Sequence, residues 1–215
     1  MNQQIAQPLD AAQERTLGKQ VGKVAAVTLS FWVMKIIATT VGDIAGDLLS
    51  ETLGLGYVLS LLVAMGLVLS LLIAQVRTAG FKPALFWVLM LGTSTLGAEL
   101  SDTLDRGLHL GYVVGAAVVF LCLAAALVAW RLRRGRIQVY PVFSRHEECY
   151  YWCAAILANT LGSVLGDLLG DHFGLGFMGA MAVNAAVLAL LLLLSYTTKA
   201  NRALLFWTAF IFSRV

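Results

Sequence analysis

The sequence predicts an all-α protein, a polytopic bundle of transmembrane helices built from parallel helix-hairpin repeats. Of its 215 residues, 60% are hydrophobic and 13% are charged, whereas soluble domains average about 45–50% and about 25%. The mean hydropathy is +0.83, and a soluble fold of this length cannot bury that much apolar surface. Long apolar stretches and an internal repeat complete the evidence. We therefore expect a lipid bilayer to be its main partner.

Six apolar stretches are long enough to cross a bilayer, which needs about 20 residues of helix. The segment 1–23 is polar and lacks the short apolar core of a signal peptide, so it predicts a tail. The predicted spans are about 24–49, 56–75, 84–104, 110–130, 149–170 and 174–196, and a seventh apolar stretch covers 203–215.

Basic residues concentrate on one side of these spans. Twelve of the fifteen lysines and arginines lie in the tail or in the segments after spans 2, 4 and 6, while the opposite segments hold only Arg106. The positive-inside rule makes the basic side cytoplasmic, so we predict a cytoplasmic N-terminus. The net charge of +3 is too small to favour a nucleic-acid partner.

An internal repeat starts at each of four aromatic–Trp pairs, Phe31-Trp32, Phe86-Trp87, Tyr151-Trp152 and Phe206-Trp207. A Thr lies eight residues, a Gly ten residues and an Asp fifteen residues after each of the first three Trp. These residues are Thr40, Thr95 and Thr160, then Gly42, Gly97 and Gly162, then Asp47, Asp102 and Asp167. Each unit contains two spans, so successive units have the same orientation.

The repeat divides the chain. We expect four like-oriented hairpins to form a ring with the odd-numbered spans around its centre. The chain ends eight residues after Trp207, so we expect the fourth repeat to be cut short. The segments are a cytoplasmic tail 1–23, repeat 1 at 24–82, repeat 2 at 83–130, a basic linker 131–148, repeat 3 at 149–202 and the start of repeat 4 at 203–215.

The aromatic–Trp pair, the T-x-G motif and the Asp, with two helices per unit, resemble a bacterial family of uncharacterised membrane-anchored proteins. Its members have four tandem copies of a two-span repeat of unknown function, each with a Trp. The resemblance covers about 24–215 and implies a tandem-repeat fold in the bacterial inner membrane, with no established activity. The copies differ in acidic content, because Asp43 has Ala98 and Ser163 as counterparts.

Small residues spaced four apart predict close helix packing, since such pairs let helix backbones approach in lipid. They are Gly42, Gly46, Gly97, Ser101, Gly162 and Gly166. The Trp of each repeat is expected to anchor its helix in the interfacial aromatic belt. These anchors are Trp32, Trp87, Trp152 and Trp207.

Acidic residues gather at the ends of the odd-numbered spans, away from the basic side. Eight of the twelve lie there, at helix C-termini that disfavour negative charge, so we expect protons, a cation or water to compensate them. Carboxylates and hydroxyls suit Mg²⁺, Ca²⁺ or Mn²⁺. The predicted metal ligands are Asp43, Asp47, Glu99, Asp102 and Asp167, supported by Thr40, Thr95, Thr160 and Asp171.

The depth of these residues leaves two interpretations open, a cation-binding vestibule or a solvated rim. The leading hypothesis is a transporter or permease for a divalent cation, with proton coupling as an option. The alternative is a membrane scaffold or accessory subunit without transport, and a third hypothesis is an exporter of small organic cations. No enzyme motif is present, so we expect neither catalysis nor a cofactor, and the sequence makes no prediction of oligomeric state.

Overall fold

The computed structural model describes residues 22–198 and 201–214. These residues form seven helices, and six of the helices are long and apolar enough to cross a membrane. The predicted all-α, multi-pass fold is therefore confirmed, while most of the predicted tail 1–23 lies outside the described residues. The helices are α1 Leu29–Asp47, α2 Gly56–Arg77, α3 Pro83–Asp102, α4 Tyr112–Arg134, α5 Arg145–Asp167, α6 Gly176–Thr197 and α7 Arg202–Phe212.

The odd-numbered helices begin with recognisable caps at the end of the bundle that carries the basic residues, which we call the basic end. Thr28 accepts a hydrogen bond from the Phe31 amide at α1, and Ser144 forms a capping box with Glu147 at α5. Pro83 opens α3, where its missing N–H costs nothing. Local sequence thus fixes where these helices start.

At the opposite end, which we call the acidic end, α1, α3 and α5 each run into one turn of π-helix. These turns are Leu48–Thr52, Thr103–Gly107 and Leu168–His172. Each is followed, at the same position of the repeat, by a glycine with positive φ: 70° at Gly56, 77° at Gly111 and 63° at Gly176. Glycine adopts this conformation without strain, so the turn into each even-numbered helix is built the same way in all three repeats.

The aromatic–Trp pairs close the odd-numbered helices into a ring. The first aromatic of each pair contacts the Trp of the next repeat, and the fourth pair contacts the first. The ring centroids are 5.7 Å apart for Phe31–Trp87, 5.1 Å for Phe86–Trp152, 5.8 Å for Tyr151–Trp207 and 5.6 Å for Phe206–Trp32. The four aromatic–Trp pairs of the sequence repeat thus form one closed cycle of ring contacts.

The glycine ten residues after each Trp brings successive odd-numbered helices together. A Cβ placed on Gly42 would lie 2.9 Å from the Leu91 carbonyl oxygen of α3. One on Gly97 would lie 2.9 Å from the Thr160 amide nitrogen of α5, and one on Gly162 would lie 2.7 Å from the Ile211 carbonyl oxygen of α7. The same repeat position therefore sets three helix contacts in turn.

The even-numbered helices lie outside this ring. They are the most apolar of the six membrane-length helices, and a smaller share of their residues is buried than in α1, α3 or α5. Their exposed apolar side chains, such as Leu62, Phe120 and Leu192, suit contact with lipid tails. The ring of odd-numbered helices predicted from the repeat is thus present, with the even-numbered helices at its periphery.

A buried polar cluster ties the basic end together. The Lys23 ammonium forms an ion pair with the Glu148 carboxylate of α5 and also donates to the Val76 carbonyl at 3.0 Å. Gln75 of α2 donates to the other oxygen of Glu148 at 2.9 Å and to the Lys23 carbonyl at 3.1 Å. This cluster links repeat 1 to the start of α5.

Candidate functional site

A cavity of about 560 Å³ lies between the acidic ends of α1, α3 and α5; we call it the vestibule. Nine of its lining residues occupy only three positions of the repeat, which we number 11, 15 and 19 by counting from the Trp. Residues four apart share one face of a helix, so each repeat turns the same face toward the cavity.

These positions form three tiers from the inside of the bundle outward. The inner tier, at position 11, is Asp43, Ala98 and Ser163; the middle tier, at position 15, is Asp47, Asp102 and Asp167; the outer tier, at position 19, is Glu51, Arg106 and Asp171. Only the middle tier is acidic in every one of these repeats. The inner and outer tiers differ between repeats, so the symmetric part of the site is the middle tier.

The vestibule has a strong excess of negative charge. Six carboxyl groups line it against two arginines, Arg106 and Arg214. Arg106 lies 3.7 Å from a carboxylate oxygen of Glu51 in repeat 1 and 3.7 Å from one of Asp102 in repeat 2. Both contacts are longer than a hydrogen bond and partly exposed, so they partly offset the charge of the rim without neutralising the vestibule.

Arg214, just after α7, reaches the inner tier. Its Nη2 atom lies 2.5 Å from Oδ1 of Asp43 and 3.0 Å from the Ser94 carbonyl oxygen. Its Nη1 atom donates to the Ser94 hydroxyl at 3.0 Å, and its Nε donates to the Ser163 hydroxyl at 2.9 Å. The guanidinium is thus held by four oxygen atoms from three different helices.

Two repeat glycines make room for this arginine. A Cβ on Gly97 would lie 3.0 Å from Nη1 of Arg214, and a Cβ on Gly162 would lie 2.9 Å from its Cβ. The Arg214 side chain is 1% exposed, whereas that of Asp43 is 38% exposed. Asp43 therefore faces the cavity on one side and a buried guanidinium on the other, and Arg214 forms the floor of the vestibule.

Below this floor lies a second buried cation, Lys35 of α1. Its side chain is fully buried, its ammonium has no hydrogen-bond partner among the described residues, and it lies 4.1 Å from the ring centroid of Phe210. The closed cycle of the four aromatic–Trp pairs lies farther toward the basic end than Lys35. The centre of the bundle therefore runs from an acidic cavity through two basic groups to an aromatic layer.

The structure brings most of the predicted acidic residues to the vestibule. Asp43, Asp47, Asp102, Asp167 and Asp171 all line it. The carboxylates of separate hairpins thus converge on one cavity, as the vestibule interpretation requires.

Glu99 is not part of the vestibule, contrary to its inclusion among the predicted ligands. It is buried on the other side of α3, where it accepts a hydrogen bond from the Ser60 hydroxyl of α2. Position 12 of the repeat lies about 100° around the helix from position 11, so its side chain turns away from the cavity. Glu99 instead joins α3 to α2 and faces Gly46, where an added Cβ would lie 3.3 Å from its Oε1.

The three predicted supporting threonines also lie outside the cavity lining. Thr40 is exposed and donates to the Ile36 carbonyl, and Thr160 donates to the Ile156 carbonyl. Thr95 donates to the Gly42 carbonyl across the α1–α3 contact at 2.9 Å. All three hydroxyls donate to backbone carbonyls, and their predicted support of a bound ion stays a prediction.

The carboxylates do not form a metal cage. Within residues 22–198 and 201–214, no three His, Cys, Asp or Glu side chains lie close enough together to hold a metal ion. The physical reason is that the acidic side chains stand on different walls of a wide cavity, and Asp43 is already paired with Arg214. Metal binding by Asp43, Asp47, Glu99, Asp102 and Asp167 therefore stays a prediction.

The tryptophans predicted as interface anchors have a packing role inside the bundle. Trp152 and Trp207 are buried, and Trp32 and Trp87 are half-buried against the same aromatic cluster. The reason is that each Trp fills the space beside the aromatic pair of the preceding repeat. Of the small residues predicted for packing, Ser101 is buried and Gly166 lines the vestibule.

Sequence reasoning missed Arg106 and Arg214 as part of the site. A signal for Arg214 was present, because the residue seven positions after each Trp is polar and buried in all four copies. These residues are Thr39, Ser94, Asn159 and Arg214. For Arg106 the signal was its position 19, which it shares with Glu51 and Asp171.

The fold and the repeated site define the chain as a polytopic membrane protein made of tandem two-helix repeats. Residues 30–81, 85–136 and 150–201 each match the family described as Repeat of Unknown Function (DUF347). The chain belongs to this family, which confirms the resemblance to tandem repeats of unknown function. No curated protein and no solved structure matches the chain.

Proposed function

We propose that the chain is a membrane permease for a divalent cation, of the Mn²⁺, Mg²⁺ or Ca²⁺ kind, which it collects in the vestibule. The observation that carries the proposal is the convergence of repeat positions 11, 15 and 19 on one cavity with six carboxyl groups. A cleft lined by one sign of charge focuses the electric field and raises the local concentration of counter-ions. The geometry thus supports the first step of cation transport.

The size of the vestibule favours an ion that keeps its water. Mg²⁺ retains most of its octahedral water shell in proteins, and six waters at about 30 Å³ each occupy about 180 Å³. The cavity of about 560 Å³ accommodates such an ion with further water. Carboxylates on separate walls then bind the hydrated ion through its waters, which needs no cage of directly coordinating side chains.

Orientation follows from the positive-inside rule as part of the same proposal. The basic end carries Arg77, Lys82, Arg131, Arg133, Arg134 and Arg145, so it faces the cytoplasm of a bacterial inner membrane. The vestibule then opens to the outside. For a cation to cross, the floor at Arg214 and the aromatic layer must both open, which makes the described arrangement the outward-open, inward-closed state.

The test is ion flux into liposomes that contain the purified full chain. We expect Asp47→Asn, Asp102→Asn and Asp167→Asn together to abolish saturable uptake of Mn²⁺ or Mg²⁺. The matched control is Asp105→Asn, which removes a carboxylate at the same end but outside the cavity lining. Uptake by the triple variant equal to that of the parent, at equal folded protein, would reject the proposal and leave the scaffold hypothesis.

A further inference from the structure

Arg214 is bonded to Asp43, the innermost carboxylate that a cation entering the vestibule would meet. Asp43 is the one acidic residue of the inner tier, and its Oδ1 atom is already bonded to the guanidinium. The middle and outer tiers together hold five carboxyl groups and one arginine. A cation is therefore attracted as far as the middle tier and is then opposed by the fixed positive charge of the floor.

The neighbouring helices form a specific binding place for the Arg214 side chain. Four oxygen acceptors from α1, α3 and α5 surround the guanidinium, and Gly97 and Gly162 clear the path of the side chain. Charge-assisted hydrogen bonds of this kind are stronger than neutral ones. All four acceptors lie on α1, α3 and α5, whereas the arginine follows α7, so the guanidinium can leave only if α7 or its own side chain moves.

Lys35 adds an independent observation. Its ammonium is fully buried beneath the same floor, without a hydrogen-bond partner in the described part of the chain, and it lies on α1 about two turns from Asp43. The inner end of the vestibule thus has two buried basic groups nearby but only one carboxylate, which is bonded to Arg214.

We infer that the Arg214 guanidinium is a tethered cation that competes with the entering ion for Asp43 and so gates the inner end of the vestibule. This inference rests on the proposed function, to which it adds a gate at the inner end of the vestibule. A fixed arginine that blocks cations is a known way to set a pore's selectivity. In this chain the block is removable, because Asp43 presents its carboxylate to the cavity as well as to the arginine.

The experiment is Mg²⁺ binding to the purified full chain in detergent, measured by calorimetry. We expect Arg214→Gln to bind Mg²⁺ at least tenfold more tightly than the parent chain, because the competing charge is gone. Adding Asp43→Asn to that variant should cancel the gain. The matched control is Arg202→Gln, which removes an exposed arginine at the other end of α7 and should leave the affinity unchanged.

A second variant protects the test against misfolding of Arg214→Gln. Ser163→Ala keeps every charge but removes the acceptor of the Arg214 Nε proton, so it should loosen the guanidinium and raise Mg²⁺ affinity several-fold. If Ser163 were only a ligand for the ion, the same change would lower the affinity. Ser195→Ala, an exposed serine of α6 that donates to the Leu192 carbonyl, is its control.

The outcomes separate the gate from the proposed function. If the parent binds Mg²⁺ through the middle tier, and Arg214→Gln and Ser163→Ala bind it no more tightly, the gate is overturned and the permease proposal stands. If neither the parent nor Arg214→Gln binds any of Mg²⁺, Mn²⁺ and Ca²⁺ in this assay, both are overturned. Tighter binding in Arg214→Gln that Asp43→Asn reverses supports the gate.

Discussion

The most exacting test of the fold is the substitution Gly97→Ala, at the contact between α3 and α5. The added Cβ would lie 2.9 Å from the Thr160 amide nitrogen and 3.0 Å from the Asn159 carbonyl carbon. Both atoms belong to the backbone of α5, so they cannot move aside as a flexible side chain would. Ordinary van der Waals contacts of a Cβ begin at 3.4 Å, so the two helices must move apart to accept the methyl group.

The expected change in the free energy of unfolding is the sum of two opposing effects. Overpacking a tight contact costs about 1–3 kcal/mol, while replacing a helical glycine by alanine gains about 1 kcal/mol. We therefore expect Gly97→Ala to lower the free energy of unfolding by up to about 2 kcal/mol. The control is Gly115→Ala in α4, whose Cβ would meet Val164 Cγ1 at 3.8 Å, an ordinary contact. That variant should be neutral or more stable by up to about 1 kcal/mol.

The assay is unfolding of the purified chain by SDS in mixed micelles, followed by tryptophan fluorescence. Trp152 and Trp207 are buried in the aromatic ring, so loss of the ring changes their emission. A Gly97→Ala variant as stable as Gly115→Ala would refute the claim that this repeat glycine sets the distance between α3 and α5.

Three further predictions concern buried polar groups, each measured in the same unfolding assay. Lys23→Met leaves Glu148 buried without its ion partner and should lower the free energy of unfolding by about 3–5 kcal/mol. A loss below about 1 kcal/mol, which is typical of a surface ion pair, would contradict the role of this cluster in joining the basic ends of the repeats. Ser60→Ala removes the hydroxyl that donates to the buried Glu99 and should lower the free energy of unfolding by about 1–3 kcal/mol. An unchanged midpoint of the unfolding curve would mean that water replaces the hydroxyl. Lys35→Met replaces a buried amine that has no hydrogen-bond partner among the described residues by an apolar chain of similar length and should raise the free energy of unfolding by about 1 kcal/mol. Destabilisation would show instead that the contact of the ammonium with the Phe210 ring outweighs the missing hydrogen bond.

The architecture was largely predictable from the sequence because the repeat is a physical constraint. Each Trp and each glycine ten residues later recurs at a fixed spacing, and helices of one orientation that share these contacts can all satisfy them only in a ring. The predicted spans miss the observed helix ends by a few residues. At the acidic end this difference arises from the π-helical turns, such as Leu48–Thr52, which composition alone does not reveal.

The candidate site was only partly predictable. Position 15 of the repeat is acidic in three copies, so Asp47, Asp102 and Asp167 could be grouped from spacing alone. Glu99 was misplaced because a residue one position from the cavity-facing one points to another helix. The spacing groups Arg214 with the polar residues seven positions after the other Trp, but it does not show that the long side chain crosses from the end of α7 to Asp43 of α1.

The most direct test of the central claim, that carboxylates of three repeats share one cavity, is the anomalous scattering of Mn²⁺ in crystals of this chain. We predict a peak inside the vestibule between Asp47, Asp102 and Asp167, and its loss when these three residues become asparagine. Manganese bound only at separate sites on the outer surface, with an empty vestibule, would contradict the account.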